Sequence, residues 1–583
     1  MNVKTFFALL LPFWLFFSLS AKADLLHQFS WSADNGRSPK YGRPVLSGSS
    51  LYGTTVYGGA HGSGTVYKVQ TDGTGFAILH SFAGGSGDGN NPYGALILDG
   101  SNLYGMTLAG GAGDKGTIFK ILTNGTGFQV LREFTGAPDD GRTPGGSLIL
   151  SGTTLYGMTA YGGDSDKGTV FKIQTGGTGF AILHHFAGGI ADGRFPEGAL
   201  LLDGSTLFGM TPYAGANDSG TLFSLATDGS GFSLLHSFGA GGDGYYPYGS
   251  LALSGSTLYG MTLMGGASDK GAAFRVERDG SGYELLREFG GAPGDGAYPV
   301  GSPTLDGPWF YGMTQQGGSS GNGAVFRMTL DGREFLLLHS FAGGADDGAH
   351  PYGDLLISDP AAYGTTYIGG DDDVGTVFSL ALPAGLVLVS PNGWERWSLG
   401  EARAIAWKAS NYTGTVRLVL FKGGSRFGNI ATGVPAANGS YSWTVGQTYD
   451  SGMAPAGTDY RLYLRSTDNT LVDPSDYRLA LTEPAQLEVT APNGGERWPL
   501  GATRNITWNA NDYAGTVRLI LFQKAAKIGQ IVASLPADQG SYAWTVGSHA
   551  NGTAAAGDLY SIRLLAGDGS QEDYSDGPFA ITD

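Results

Sequence analysis

The sequence predicts an all-β protein: a seven-bladed β-propeller closed by the N-terminal strand, followed by two tandem Ig-like β-sandwiches. Three observations carry that prediction. A five-residue motif returns seven times at a nearly constant interval. A strand-like run stands alone near the N-terminus, and the last repeat lacks such a run. The C-terminal third holds one module twice.

The motif runs Leu51 to Thr55, then LYGMT from Leu103, Leu155 and Leu258, LFGMT from Leu207, FYGMT from Phe310 and AYGTT from Ala362. Its glycines fall at 53, 105, 157, 209, 260, 312 and 364, in steps of 52, 52, 52, 51, 52 and 52. A period of this length marks a repeat architecture. Each unit holds four strand-like runs; in the second they are 94–98, 103–107, 116–121 and 128–134. Asx-Gly and Gly-rich turns separate them, as at Asp99-Gly100 and Asn124-Gly125, and supply the positive φ that tight hairpins need. Four short antiparallel strands per unit match a propeller blade.

The fourth run of each unit resembles 77–82, but the seventh unit ends after its third run. Leu25-Leu26-His27-Gln28-Phe29 has the missing pattern. The N-terminus is therefore expected to complete the last blade, which leaves no open edge. The propeller is assigned to 24–383.

From Leu386 the period changes. The stretch 391–397, PNGWERW, returns at 492–498 as PNGGERW; Trp407 and Trp443 return as Trp508 and Trp544 at the same offset. Residues 386–483 and 486–583 each have the length and strand alternation of an Ig-like sandwich. The paired tryptophans read as core. Trp394, replaced by Gly495 in the second copy, is expected to be exposed.

Composition narrows the class. The 101 glycines have no collagen period, and 12% aromatic residues exclude a disordered linker. A formal charge of −17 opposes a nucleic-acid partner. Residues 1–23 read as a secretory signal peptide: Lys4, an apolar stretch from Phe6 to Leu19, and Ala21-Lys22-Ala23 as the cleavage site. An extracellular, cell-surface or periplasmic location is expected, and no later segment is long and apolar enough for a membrane helix. Cysteine is absent, so there is no disulfide framework, thiolate metal site or Cys nucleophile.

With its LYGMT and GTVFK signatures, the repeat region resembles the Gly-rich tandem-repeat family of Gloeobacter and Verrucomicrobia. The tail modules resemble the Ig-like domain of Ser/Thr-rich GPI-anchored cell-wall proteins through their PNGGExW opening. These resemblances imply a bacterial surface or secreted protein whose tail acts as a spacer or adhesive module, and they bring no activity with them.

Within each unit the first-to-second and third-to-fourth strand turns are short. The other connections are long and should emerge on one face, where binding sites collect. The loops entering each unit share the pattern Asp-Gly-x-x-Pro-x-Gly. Their aspartates, Asp88, Asp140, Asp192, Asp243, Asp295 and Asp347, with Asp34 in the variant Asp34-Asn35-Gly36, read either as a carboxylate ring for Ca²⁺ or as Asx turns capping their own loops. An Asp in every unit favours the cap. No other cofactor is expected. The residue before the loop proline departs from the repeat: Ser38, Asn91 and Thr143 give way to Phe195, Tyr246, Tyr298 and His350, with Tyr245 adjacent. That arc of rings suits an extracellular glycan or protein partner. A second departure gathers Asp346, Asp347, Asp371, Asp372 and Asp373 near His350 and His61, a set able to hold a metal or do acid–base work. The histidines at 27, 80, 184, 236 and 339 share their slot with Arg132 and Arg287 and read as structural. No G-x-S-x-G elbow or Walker motif occurs. The expectation is a non-catalytic binding or scaffold protein. The alternative is a secreted polysaccharide hydrolase or lyase using carboxylates on the long-loop face.

Overall fold

The computed structural model describes residues 22–239, 242–291, 293–393, 395–484, 486–511, 513–524 and 526–583. Nearly all of the expected signal peptide, and Trp394, lie outside the described residues. The chain divides into two compact units, Met1–Ala384 and Gly385–Asp583.

Among the described residues the first unit has seven main antiparallel sheets, one per repeat, and six two-stranded ribbons in the loops. The first sheet orders Val45–Ser47, Ser50–Thr55, Thr65–Gln70 and Ala77–Ser81 side by side. The seventh orders Leu356–Ser358, Ala361–Thr366 and Thr376–Ala381, and its fourth strand is Asp24–Gln28, paired antiparallel with Thr376–Ala381. That N-terminal strand also carries the register shift found in the other third-to-fourth strand pairs: between Leu25 and His27 there, and between Ile118 and Phe119 in the second sheet. Expectation and structure differ at the innermost strand. The run 94–98 pairs only from Ile97. Its first residues turn to the neighbouring repeat, where the Ala95 N–H donates to Ser147 Oγ at 2.8 Å.

Successive sheets are joined by the same aromatic contact. The ring after each fourth strand meets, edge to face, a ring on the third strand of the next sheet. The pairs are Phe82–Phe119, Phe134–Phe171, Phe186–Phe223, Phe238–Phe274, Phe289–Phe326 and Phe341–Phe378, with centroids 5.2–5.4 Å apart. Phe29 makes the equivalent contact with Tyr67 at 5.2 Å, linking the seventh sheet to the first. Leu26, Phe29, Val374 and Val377 share one buried cluster with Leu51, Tyr67 and Val69. Each such ring pair stabilises by about 0.5–1.5 kcal/mol beyond the burial of its area.

The motif glycine makes room for this joint. A Cβ on Gly157, Gly312 or Gly364 would lie 2.6 Å from Cζ of Phe171, Phe326 or Phe378. The LYGMT signature is thus a packing requirement: a missing side chain on the second strand admits a ring from the third.

In the second unit each module has two main sheets and a two-stranded ribbon among the described residues. In the first module, Gly385–Ser390, Ala402–Ser410 and Ser440–Thr444 form one sheet. Thr415–Lys422, Ser425–Pro435, Gly457–Ser466 and Leu479–Thr482 form most of the other. The second module repeats this order from Gln486 to Thr582. Trp397, Trp407 and Trp443 lie in one core and Trp498, Trp508 and Trp544 in the other. Two indoles per core find the carbonyl partner a buried N–H needs. Trp407 and Trp508 donate to Ala436 O and Ala537 O, and Trp443 and Trp544 to Gln447 O and Ser548 O, at 2.7–2.8 Å.

Candidate ligand-binding face

The site is built from the loops that enter each repeat. Their first residue, the aspartate, is occupied locally. Asp192 accepts from the Ala187 N–H at 2.7 Å, from its neighbour Gly193 at 2.7 Å and from His184 Nε2, 3.1 Å away. Asp140 does the same with Thr135, Gly141 and Arg132. The His or Arg in turn lies flat on the first ring of the next sheet's fourth strand: His80 on Phe128 at 3.7 Å, His184 on Phe232 at 4.0 Å, Arg132 over Phe180 at 3.7 Å. Asp, His or Arg, and Phe together brace neighbouring repeats. Burial raises the Asp243 and Asp347 carboxyl pKa, but hydrogen bonds from histidine and loop amides outweigh it and hold both below the usual 3.8.

The residue before the loop proline comes next. Ser38, Asn91, Thr143, Phe195, Tyr246, Tyr298 and His350 all have φ of 51–58°. For a bulky side chain the left-handed region costs on the order of 1–3 kcal/mol, and strain of this kind concentrates at functional sites. Each backbone is fixed there: the Phe195 N–H donates to Lys167 O at 2.8 Å and Tyr246 to Ser219 O at 2.9 Å. The rings of the predicted arc are not equivalent. Phe195, Tyr246 and Tyr245 belong to one run that also takes in Tyr161 and Tyr213 from the second-to-third strand loops. Centroids are 4.9 Å apart for Tyr161–Phe195, 6.2 Å for Phe195–Tyr213, 5.2 Å for Tyr213–Tyr246 and 4.9 Å for Tyr246–Tyr245. Cations stand among them: Arg142 over Tyr161 at 4.5 Å and Arg194 over Phe195 at 5.5 Å. Tyr298 is outside the run, with the Lys270 ammonium 4.9 Å from its ring, and His350 Nδ1 lies 3.0 Å from Gln315 O. Trp31, 66% exposed, carries the Arg37 guanidinium at 4.5 Å.

The acidic set near the seventh repeat is dispersed by its hydrogen bonds. Asp347 is held by His339; Asp373 accepts from the Gly369 N–H at 2.8 Å, and Asp372 from the Trp31 N–H at 3.3 Å. The Asp371 N–H is bound by Gln28, and Asp346 lies next to Asp347 in the same loop. Among the described residues no three His, Asp or Glu side chains form a group able to hold a metal ion.

The last part of the loop, Pro-x-Gly, supplies residues that sequence reasoning did not single out as a group. The glycines follow one another around a narrow cleft of about 20 Å³. A Cβ on Gly94, Gly146, Gly198, Gly249 or Gly301 would strike the carbonyl of the next, and a Cβ on Gly353 would lie 3.1 Å from Gly42 O. The residue between proline and glycine is Tyr41, Tyr93, Gly145, Glu197, Tyr248, Val300 or Tyr352. The first repeat has one residue more, Pro39-Lys40-Tyr41-Gly42, and that insertion is the signal that marks the spot. The half-buried Lys40 ammonium lies 5.1, 5.3, 5.1 and 5.6 Å from the rings of Tyr41, Tyr93, Tyr352 and Tyr367. A cation so placed over several ring faces is attracted by each. Burial lowers the Lys40 pKa against the pull of Glu197, and burial raises that of Glu197 against the pull of Lys40. Tyr248 continues the ring set, its hydroxyl 2.7 Å from that of Tyr213, and burial pushes the Tyr41, Tyr93 and Tyr248 phenols well above their usual value. The cleft is lined by the Tyr41 and Tyr248 phenols and by the carboxyl groups of Glu197 and Asp354, with the Lys40 ammonium against the Tyr41 ring.

Comparison with known proteins adds the following. No curated protein sequence matches the chain. Solved structures similar to it include a putative 6-phosphogluconolactonase from Bacteroides uniformis: 14% identity, 53% of this chain, 86% of that one, TM-score 0.36. Another is the polysaccharide lyase Uly1: 10% identity, 61% of this chain, 92% of that one, TM-score 0.35. A third comprises fibronectin(III)-like modules of Clostridium thermocellum CbhA: 17% identity, 34% of this chain, 94% of that one, TM-score 0.16. The Kre9/KNH-like N-terminal Ig-like domain matches twice in the tail, at 390–477 and 491–581, so both modules are Ig-like. The Gloeobacter/Verrucomicrobia repeat matches at 15–223 and 202–390, well over half of the chain, and the protein belongs to that repeat family.

Proposed function

We propose that the seven sheets form a seven-bladed propeller closed by Asp24–Gln28, and that the protein is an exported, non-catalytic binding protein. Its long-loop face takes an extracellular glycan or a protein partner. The seven ring-to-ring joints and the succession of loop glycines support the propeller.

One observation carries the binding reading: the run Tyr161–Phe195–Tyr213–Tyr246–Tyr245 spans consecutive repeats. Half-exposed rings following one another at these spacings suit sugar faces, while the interleaved Arg142 and Arg194 are paired with Asp166 and Asp218. The repeated loop carboxylates are engaged by their own amides and by His or Arg, which supports binding over a mechanism that needs two free carboxylates across a cleft.

The test is binding of the full chain to a panel of bacterial, algal and plant polysaccharides, with release of reducing ends followed in parallel. Binding without release, weakened at least tenfold by Tyr213→Ala or Tyr246→Ala, is expected. Release of reducing ends that depends on Glu197 would instead favour the hydrolase or lyase reading.

A further inference from the structure

The two tail modules share a core but differ on one outer face. In the first, the strands Thr415–Lys422 and Gly457–Ser466 pair with Phe421 opposite Arg461 and Val419 opposite Tyr463. Alternation along the second strand sends Tyr460, Leu462 and Leu464 into the core and turns Arg461 and Tyr463 outward. The Phe421 and Tyr463 rings lie against each other, tilted by 36° with centroids 4.2 Å apart. With Arg461, Arg478, Asp459 and the small Gly423-Gly424 turn they line a cleft of about 310 Å³.

The duplicate lacks this arrangement. There Phe522 faces Ser561, Ile520 faces Arg563, and Arg563 is paired with Glu572. Pro578 stands where the first module has Arg478, and Leu559 where it has Asp459. Since both copies fold alike and only Phe421 is kept, as Phe522, the side chains of Tyr463, Arg461 and Arg478 are not needed for the fold. The two arginines are also largely uncommitted: Arg461 Nη1 reaches only Ser475 O at 3.4 Å, and Arg478 is exposed with no hydrogen bond or ion pair among the described residues; the Phe421 and Tyr463 rings carry the Arg465 guanidinium at 5.8 and 5.3 Å.

We propose that this cleft of the first Ig-like module is a second binding site, specific for an anionic sugar unit. The pyranose ring lies against Tyr463 and Phe421, and its carboxylate or sulfate is taken by Arg461 and Arg478, whose planar forks match such oxyanions. Asp459 accepts from a sugar hydroxyl. Two guanidinium groups against one carboxylate give the cleft a local positive excess in a chain of net charge −17, and this selects the anionic sugar over a neutral one.

The test is calorimetric titration of the full chain with oligogalacturonate, a sulfated carrageenan oligosaccharide and neutral cello-oligosaccharide. Binding of one or both anionic probes is expected. It should fall at least tenfold in the double variant Arg461→Gln, Arg478→Gln and in Tyr463→Ala, at unchanged melting temperature, and should persist in Tyr213→Ala. The probe that binds separates carboxylate from sulfate recognition. Failure of both anionic probes, or wild-type affinity in the double Gln variant, would overturn the inference. So would anionic binding abolished by Tyr213→Ala alone, which would place the site on the long-loop face. Persistence in Tyr213→Ala keeps this result independent of the function proposed for the first unit.

Discussion

The outer and inner parts of the repeated loops make different use of the same backbone. At the outer end every repeat has the same solution: a carboxylate or amide bound to its own loop, a His or Arg beside it, and in six repeats an aspartate at that place. At the inner end the position between proline and glycine changes from repeat to repeat, and the first repeat adds Lys40. A position filled identically in each copy serves what all copies share, which is packing against a neighbour. A position that differs is free to carry chemistry, and there the structure gathers tyrosines, an ammonium and a carboxyl group.

The comparison can be broken most forcefully at the joints. Phe186→Ala removes a fully buried ring shared by two sheets and should cost about 3–5 kcal/mol, read from denaturant unfolding. A loss below about 1 kcal/mol would mean that the joints are not what holds the sheets together. Gly157→Ala, which forces a Cβ against Phe171, should cost about 1–3 kcal/mol in the same measurement. Asp192→Ala leaves loop amides without an acceptor and should cost about 1–2 kcal/mol, with glycan affinity unchanged.

Acid should act on two of the outer positions. Asp243 and Asp347 have folded pKa values below their usual 3.8. Their contribution is therefore present above the unfolded value and lost as pH falls through the folded ones. Melting temperature should be flat from neutral pH to about 5 and drop below roughly 4, and Asp347→Asn should blunt that drop. The smallest stability effect belongs to the inner end. Lys40→Met should change stability by less than about 1 kcal/mol while altering ligand affinity severalfold.

Much of this could be read from the sequence because repetition amplifies weak signals. One LYGMT is a strand with a glycine in it; seven at a fixed step define a unit, and the unpaired run at Leu25 tells where the missing strand comes from. The ring positions 195, 245 and 246 were legible as departures from the pattern, and so was the dispersal of the aspartates into caps. What the sequence hid is what lies between repeats. Tyr161 and Tyr213 come from a different loop than Phe195 and Tyr246, and only folding interleaves them. The tyrosine cage joins residues 40, 41 and 93 to 352 and 367, far apart in the chain, and no period brings these together. Tyr298 and His350 fit the spacing of the arc, yet their rings are turned to Lys270 and Gln315.

The most direct test of this division pairs one variant from each end of the loop. Glycan affinity and melting temperature would be measured side by side for Tyr213→Ala and His184→Gln. The account predicts that Tyr213→Ala loses at least tenfold in affinity at an unchanged melting temperature, and that His184→Gln melts several degrees lower yet binds like the parent chain. Affinity lost in His184→Gln and retained in Tyr213→Ala would contradict it.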